Sequence, residues 1–72
     1  MSWYITNGTA DRQPGLIDEG TQVTFTTVGN DYVLGHVEIN GVDPGDAEYG
    51  SDSYVWTVDE DAFIKVTFEL SE

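Results

Sequence analysis

The 72 residues include fourteen Asp and Glu against two Lys and Arg, a formal charge of −12, and no cysteine. This rules out a disulfide framework, a thiolate nucleophile and a cysteine-based zinc site, and it disfavours nucleic acid or an anionic membrane as a direct partner, since both require basic patches. No apolar run approaches the roughly 20 residues that span a bilayer, and a chain this short buries only roughly 60% of its unfolded surface, which leaves little interior for a cofactor pocket.

Acidity with few aromatics would indicate disorder, but three Phe, four Tyr and two Trp lie in alternating patterns here, so the chain is expected to fold. The dominant period is two, that of half-buried strands. Ser2 to Thr6 forms a first short strand with Trp3 and Ile5 on one face and Tyr4 on the other. Asn7 to Gly20 holds Gly8, Pro14, Gly15 and Gly20 and is predicted to be an irregular connection, with Leu16-Ile17 packing down as a lid over one end of the core. Thr21 to Val28 alternates, Val23 and Phe25 inward and Thr outward, before the turn residues Gly29-Asn30-Asp31.

Tyr32 to Ile39 follows, with Val33, Val37 and Ile39 predicted to share a face with Gly35. Asn40-Gly41 is the best short-range turn signal, because both positions tolerate positive φ. Val42 to Ser53 is a polar loop containing Pro44, Gly45 and Gly50. Tyr54 to Val58 and Phe63 to Leu70 are the clearest strands, and Asp59-Glu60-Asp61-Ala62 is predicted to join them as a hairpin. The predicted core is Trp3, Ile5, Val23, Phe25, Val33, Val37, Ile39, Trp56, Val58, Ile64, Val66 and Phe68. The fold class expected is all-β to α+β: one small domain of about five mostly antiparallel strands, β-grasp-like or a small β-sandwich, without substantial helix.

Residues that could carry chemistry are sparse. His36 is the single histidine, and alternation puts it on the face opposite Val37 with Glu38 on the same side, a surface pair far more often than a catalytic one. Ser2, Ser51, Ser53 and Ser71 fall in termini and loops, without the context of a nucleophile elbow. Glycosidase chemistry needs two carboxylates across a cleft, one of them desolvated, whereas Asp59, Glu60 and Asp61 sit on one loop tip and Asp43, Asp46, Glu48 and Asp52 in another loop. Asp43, Asp46 and Glu48 are the weak candidate for a Ca²⁺ loop, but they lack the EF-hand spacing. Asn7-Gly8-Thr9 matches the glycosylation sequon, a pattern common by chance. No enzyme activity, cofactor or metal is expected from this pattern. Recognition is the better use of the exposed aromatics: Tyr4, Tyr32 and Tyr49 are candidate contacts, Asp59, Glu60 and Asp61 are further interaction candidates, and the N-terminal strand is the expected sheet edge.

Four stretches then line up as a motif series: Gly29-Asn30-Asp31-Tyr32, the run 33–42 (VLGHVEINGV), the run 53–61 (SYVWTVDED) and the run 64–68 (IKVTF). Together with the Thr-rich strand 21–27, this resembles the bacterial surface repeat of the internalin B-repeat or Listeria–Bacteroides type, over roughly residues 20 to 70. Ile39-Asn40-Gly41 stands for the "V-N-G" element, and Trp56 takes the aromatic place of the "Y-x-F-T-V" strand. The resemblance implies a compact β-grasp-like or related fold, used as a spacer or binding module on cell surfaces and in phage virions. Two features depart from the family: Asn30-Asp31 is inserted between Gly29 and Tyr32, and there is no second copy.

Two functional readings follow. The first is a non-enzymatic structural or interaction module of an exterior assembly. Its expected form is a virion or capsid decoration protein of a phage or virus, since no secretory signal is visible after Met1; a repeat of a bacterial cell-surface protein is the alternative. Expected partners are capsid or surface-assembly subunits or further copies of the chain, with no direct nucleic acid and no membrane insertion. The second is an acidic mimic of DNA that inhibits a nucleic-acid-binding protein, for which seven acids lie within nineteen residues at Asp43, Asp46, Glu48, Asp52, Asp59, Glu60 and Asp61.

Overall fold

The computed structural model describes residues 1–29 and 31–71. Six strands form, in chain order: β1 (Ser2–Thr6), β2 (Gly8–Ala10), β3 (Gln22–Thr27), β4 (Tyr32–Ile39), β5 (Ser53–Thr57) and β6 (Phe63–Leu70). They make two three-stranded sheets, ordered β1-β6-β4 and β2-β3-β5, with no helix among the described residues. Every pairing is antiparallel except β1 with β6, which run parallel from Ser2↔Phe63 to Thr6↔Thr67. The chain is thus a small all-β domain of two mostly antiparallel sheets. The proposed turn residue Asn30 lies outside the described residues.

The buried faces of both sheets meet in one core. Val23 and Phe25 of β3, Tyr54 and Trp56 of β5, and Ile64, Val66 and Phe68 of β6 are all buried, as alternation requires. The Trp3 ring meets Phe25 edge-on at 5.5 Å and Phe25 stacks near Tyr54 at 6.4 Å, so aromatic contacts join the sheets through β3. Fully burying a side chain such as Phe25 or Phe68 contributes about 1.5–3 kcal/mol, and no buried side-chain polar atom lacks a partner among the described residues.

Four expectations change. First, Gly8–Ala10 forms a strand inside the predicted connection. The backbone leaves β1 and enters β2 in the other sheet through Asn7 at φ 61°, a left-handed turn that Asn tolerates. The Asn7 amide donates to the Phe68 carbonyl at 3.1 Å and its own carbonyl accepts from Val28, also at 3.1 Å, which pins the corner to β6 and β3.

Second, the register of β4 against β6 shifts between Leu34 and His36, a β-bulge at Gly35. An extra residue inverts the alternation on one side of a bulge. Leu34 therefore enters the core in place of Val33, and Tyr32 comes with it to pack against the core instead of facing solvent.

Third, Asp59–Ala62 is not a hairpin. β5 pairs with β3 in one sheet and β6 lies between β1 and β4 in the other, so this loop crosses the sandwich, anchored by buried Val58 and Ala62. Period-two alternation gives a strand's inward face, not its partner, and adjacency along the chain was a poor guide here.

Fourth, Trp3, Ile5 and Ile39 pack against the core while remaining partly exposed, because β1 is an edge strand and Ile39 ends β4. Ile17 packs against the core as a lid residue should, but Leu16 points fully into solvent. At Asn40-Gly41 the expectation holds: φ values of 54° and 84° close a tight turn, with Ile39 and Val42 exchanging hydrogen bonds of 2.8 and 3.1 Å.

Candidate functional site

Two surfaces stand apart by charge. The first is an acidic hollow between the loop after β4 and the loop after β5, lined by Asp43, Asp46, Asp59 and Glu60 over the rims of Tyr54 and Trp56. Asp59 and Glu60 also border a neighbouring hollow with Asp61, Glu19 and Leu16, and Asp46 borders another with Glu48. Separate loops therefore form one acidic band, because their parent strands β4 and β5 are the last strands of the two sheets and lie beside one another.

Hydrogen bonds set the geometry of the band. The Tyr49 hydroxyl donates to Asp43 Oδ2 at 2.7 Å, and the Gly45 amide donates to Asp43 Oδ1 at 2.8 Å. These donors hold the Asp43 carboxyl below the usual aspartate range, the tyrosine bond first and the amide second. The same bond raises the Tyr49 phenol. The Tyr54 hydroxyl reaches Asp46 Oδ1 at 3.1 Å, and its phenol is pushed upward, first by burial and then by that carboxylate. Asp61 lies 2.6 Å from the Met1 amino group, whose hydrogen bond and charge hold its carboxyl down. Asn40 donates to Glu60 at 3.3 Å and accepts from the Phe63 amide at 2.9 Å, which ties the Asp59–Ala62 loop to the end of β4.

The candidate calcium trio is not assembled. Asp43 and Asp46 each accept a tyrosine hydroxyl, and no group of three or more His, Asp or Glu among the described residues is placed to hold a metal. His36 and Glu38 form an exposed pair at 2.9 Å on the outer face of β4, as alternation required, with no serine hydrogen-bonded to either among the described residues. Among the described residues no helix is long and apolar enough to cross a membrane.

The second surface is the outer face of β2-β3-β5. None of its three strands (GTA, QVTFTT and SYVWT) contains a charged residue. Register aligns Thr9 with Thr26 and Thr26 with Ser53, then Thr24 with Val55 and Gln22 with Thr57, so hydroxyls, one carboxamide and one valine occupy the outward strand positions. The nearest charge is Asp11, just past β2, whose amide donates to the Thr24 carbonyl at 3.0 Å and whose Oδ1 accepts from the Thr24 amide at 3.1 Å. The outer face of the other sheet carries Glu38, Lys65 and Glu69. The Thr alternation of β3 was visible in the sequence, but its junction with two further uncharged strands depended on pairing.

Of the candidate contact residues, Tyr4 is well exposed on edge strand β1 beside Lys65, and Tyr49 is exposed but engaged with Asp43. Tyr32 is half-buried against the core. Asp59, Glu60 and Asp61 are exposed and belong to the acidic band. Glu19 joins that band from a segment in which no site residue was expected. No protein-family model, curated protein or solved structure matches this chain.

Proposed function

We propose that this chain is a non-enzymatic interaction module of an exterior assembly, a virion or capsid decoration protein in the first instance and a cell-surface repeat in the second. The observation that carries this reading is the β2-β3-β5 sheet, whose three strands hold no charged residue on a chain of charge −12, with Asp11 at Thr24 as the one carboxylate bonded to it. Burying a carboxylate carries a large desolvation penalty, so a strongly acidic protein docks most readily through the part of its surface that has fewest. A face of Thr, Ser, Gln and Val offers hydrogen bonds and methyl contacts to a partner subunit. The motif resemblance to surface repeats supports the exterior setting, and the capsid or wall subunit is the proposed partner.

The test is affinity capture from virion or envelope material, eluted in salt steps. The uncharged face predicts retention at high salt, and loss when Thr24→Glu and Thr26→Glu place two charges at the centre of the sheet. Retention by that folded double variant overturns this reading.

A second reading, the acidic mimic of DNA, is favoured by one observation: Asp43, Asp46, Asp59 and Glu60 line a single hollow although they come from separate loops. A basic groove would recognise that band by charge. Capture that is released at moderate salt, and abolished by neutralising those four acids, would select this reading over the first.

A further inference from the structure

In an antiparallel ladder, alternate residues turn both their N–H and C=O toward the neighbouring strand, and those between turn theirs away. Between β3 and β5 the Thr27 amide donates to the Asp52 carbonyl at 3.1 Å, and the Val58 amide to the Thr21 carbonyl at 2.9 Å. Stepping by twos along the register puts Tyr54 and Trp56 in the bonded pairs, opposite Phe25 and Val23. Ser53, Val55 and Thr57 therefore aim their backbone groups outward, and β5 is the last strand of its sheet. The Ser53 carbonyl accepts the Ser51 hydroxyl at 2.9 Å, whereas Val55 and Thr57 have no outward backbone partner among the described residues.

The usual defences of a sheet edge are missing from this strand: it has no Pro, no Lys and no bulge. The β4 edge above it is closed. There Leu34 exchanges bonds of 2.8 and 2.9 Å with Ser51 and Gly50, and Ile39 pairs with Val42. The loop that closes β4 leaves a groove beside β5, lined by Asp46, Glu48, Ser53, Tyr54 and Val55. Asp59 and Glu60 follow just beyond the far end of the strand.

We infer that the β5 edge accepts an extended, lysine- or arginine-bearing segment of a partner protein as a seventh strand. Val55 and Thr57 supply the main-chain hydrogen bonds, and alternate basic side chains of the guest meet Asp46 and Glu48 at one end and Asp59 at the other. Lys65, on the opposite sheet, does not line this groove. A second copy is the disfavoured occupant, since pairing β5 with β5 brings two molecules of charge −12 together at their acidic loops. This inference rests on the reading as a protein-binding module but uses the sheet edge, not the uncharged face.

The test is to titrate the ¹⁵N-labelled chain with an alternating Lys–Val peptide, an alternating Glu–Val peptide of equal length, and a Lys–Val peptide N-methylated at alternate residues. The Lys–Val peptide should slow hydrogen exchange at the Val55 and Thr57 amides about ten-fold or more. The other two peptides should leave those amides unchanged. The combined variant Asp46→Asn, Glu48→Gln should weaken binding about five-fold, the order expected for two surface charge contacts. Undiminished binding of the N-methylated peptide, equal binding of Glu–Val, or amide changes confined to the acidic loops with Val55 and Thr57 unprotected overturns strand addition. Those outcomes leave the uncharged-face reading standing, because it is decided at Thr24 and Thr26.

Discussion

Gly8 lies against the Phe68 ring so closely that a Cβ at this position would sit 2.6 Å from two ring carbons and 2.7 Å from the Thr26 carbonyl oxygen. The corner where the chain leaves one sheet for the other therefore has no room for a side chain. Phe68 is fully buried, and neither its ring nor a strand backbone can retreat cheaply. Gly8→Ala should destabilise the domain by about 1–3 kcal/mol, as core overpacking does. Gly35 is the control: the three atoms nearest to a Cβ there all belong to the exposed Glu69 side chain, which can rotate away. Gly35→Ala should stay within about 0.5 kcal/mol of the parent. Denaturant midpoints decide, and equal losses for the two variants would refute the asymmetry.

The bulge at Gly35 makes a second prediction, at neighbouring positions. Leu34 is 1% exposed while Val33 lies outside the core cluster. Leu34→Ala should cost about 2–5 kcal/mol, enough to unfold a marginal small domain outright, whereas Val33→Ala should cost about 1 kcal/mol or less. Circular dichroism melts of the two variants would show the order, and a reversed order would mean that β4 alternates without a bulge.

Titration separates Tyr49 and Tyr54, the two tyrosines that donate to loop aspartates. A carboxyl held low by its donors contributes stability above the ordinary aspartate value, and that contribution is lost as pH falls through the depressed folded value. Tyr49→Phe should therefore move the Asp43 titration midpoint, read by ¹³C carboxyl shifts, back up toward the ordinary range. The Tyr54 phenol shifts the other way. Its raised folded value means a contribution present below the ordinary tyrosine value of about 10 and lost as pH rises through the folded one. Alkaline loss of stability should accordingly be shallower in Tyr54→Phe than in the parent.

Self-repulsion is the fourth target. The described ion pairs are few: Met1 with Asp61 at 2.6 Å, Arg12 with Asp11 at 3.7 Å, and the His36–Glu38 contact. Raising sodium chloride from 0.01 to 1 M shrinks the screening length from about 30 to about 3 Å. At a net charge of −12 the thermal midpoint should rise with salt, since repulsion is screened more than attraction is lost. A midpoint that falls would mean that the few ion pairs outweigh the field of the excess carboxylates.

The sequence by itself determined the strand class, three strand spans to the residue (Ser2–Thr6, Tyr32–Ile39 and Phe63–Leu70), the Asn40-Gly41 turn and most of the core. These are local matters: the side-chain alternation of an extended backbone and the φ preferences of Asn and Gly are properties of a few adjacent residues. Tertiary structure decided the rest. Gly8–Ala10 became a strand only because β3 lay beside it, and Leu34 replaced Val33 only because β6 imposed a bulged register. That the acids of two loops share a hollow, and that three uncharged strands make one face with an open β5 edge, follows from which strands pair. Pairing is chosen by burial and hydrogen bonding across the whole chain, so no local pattern encodes it.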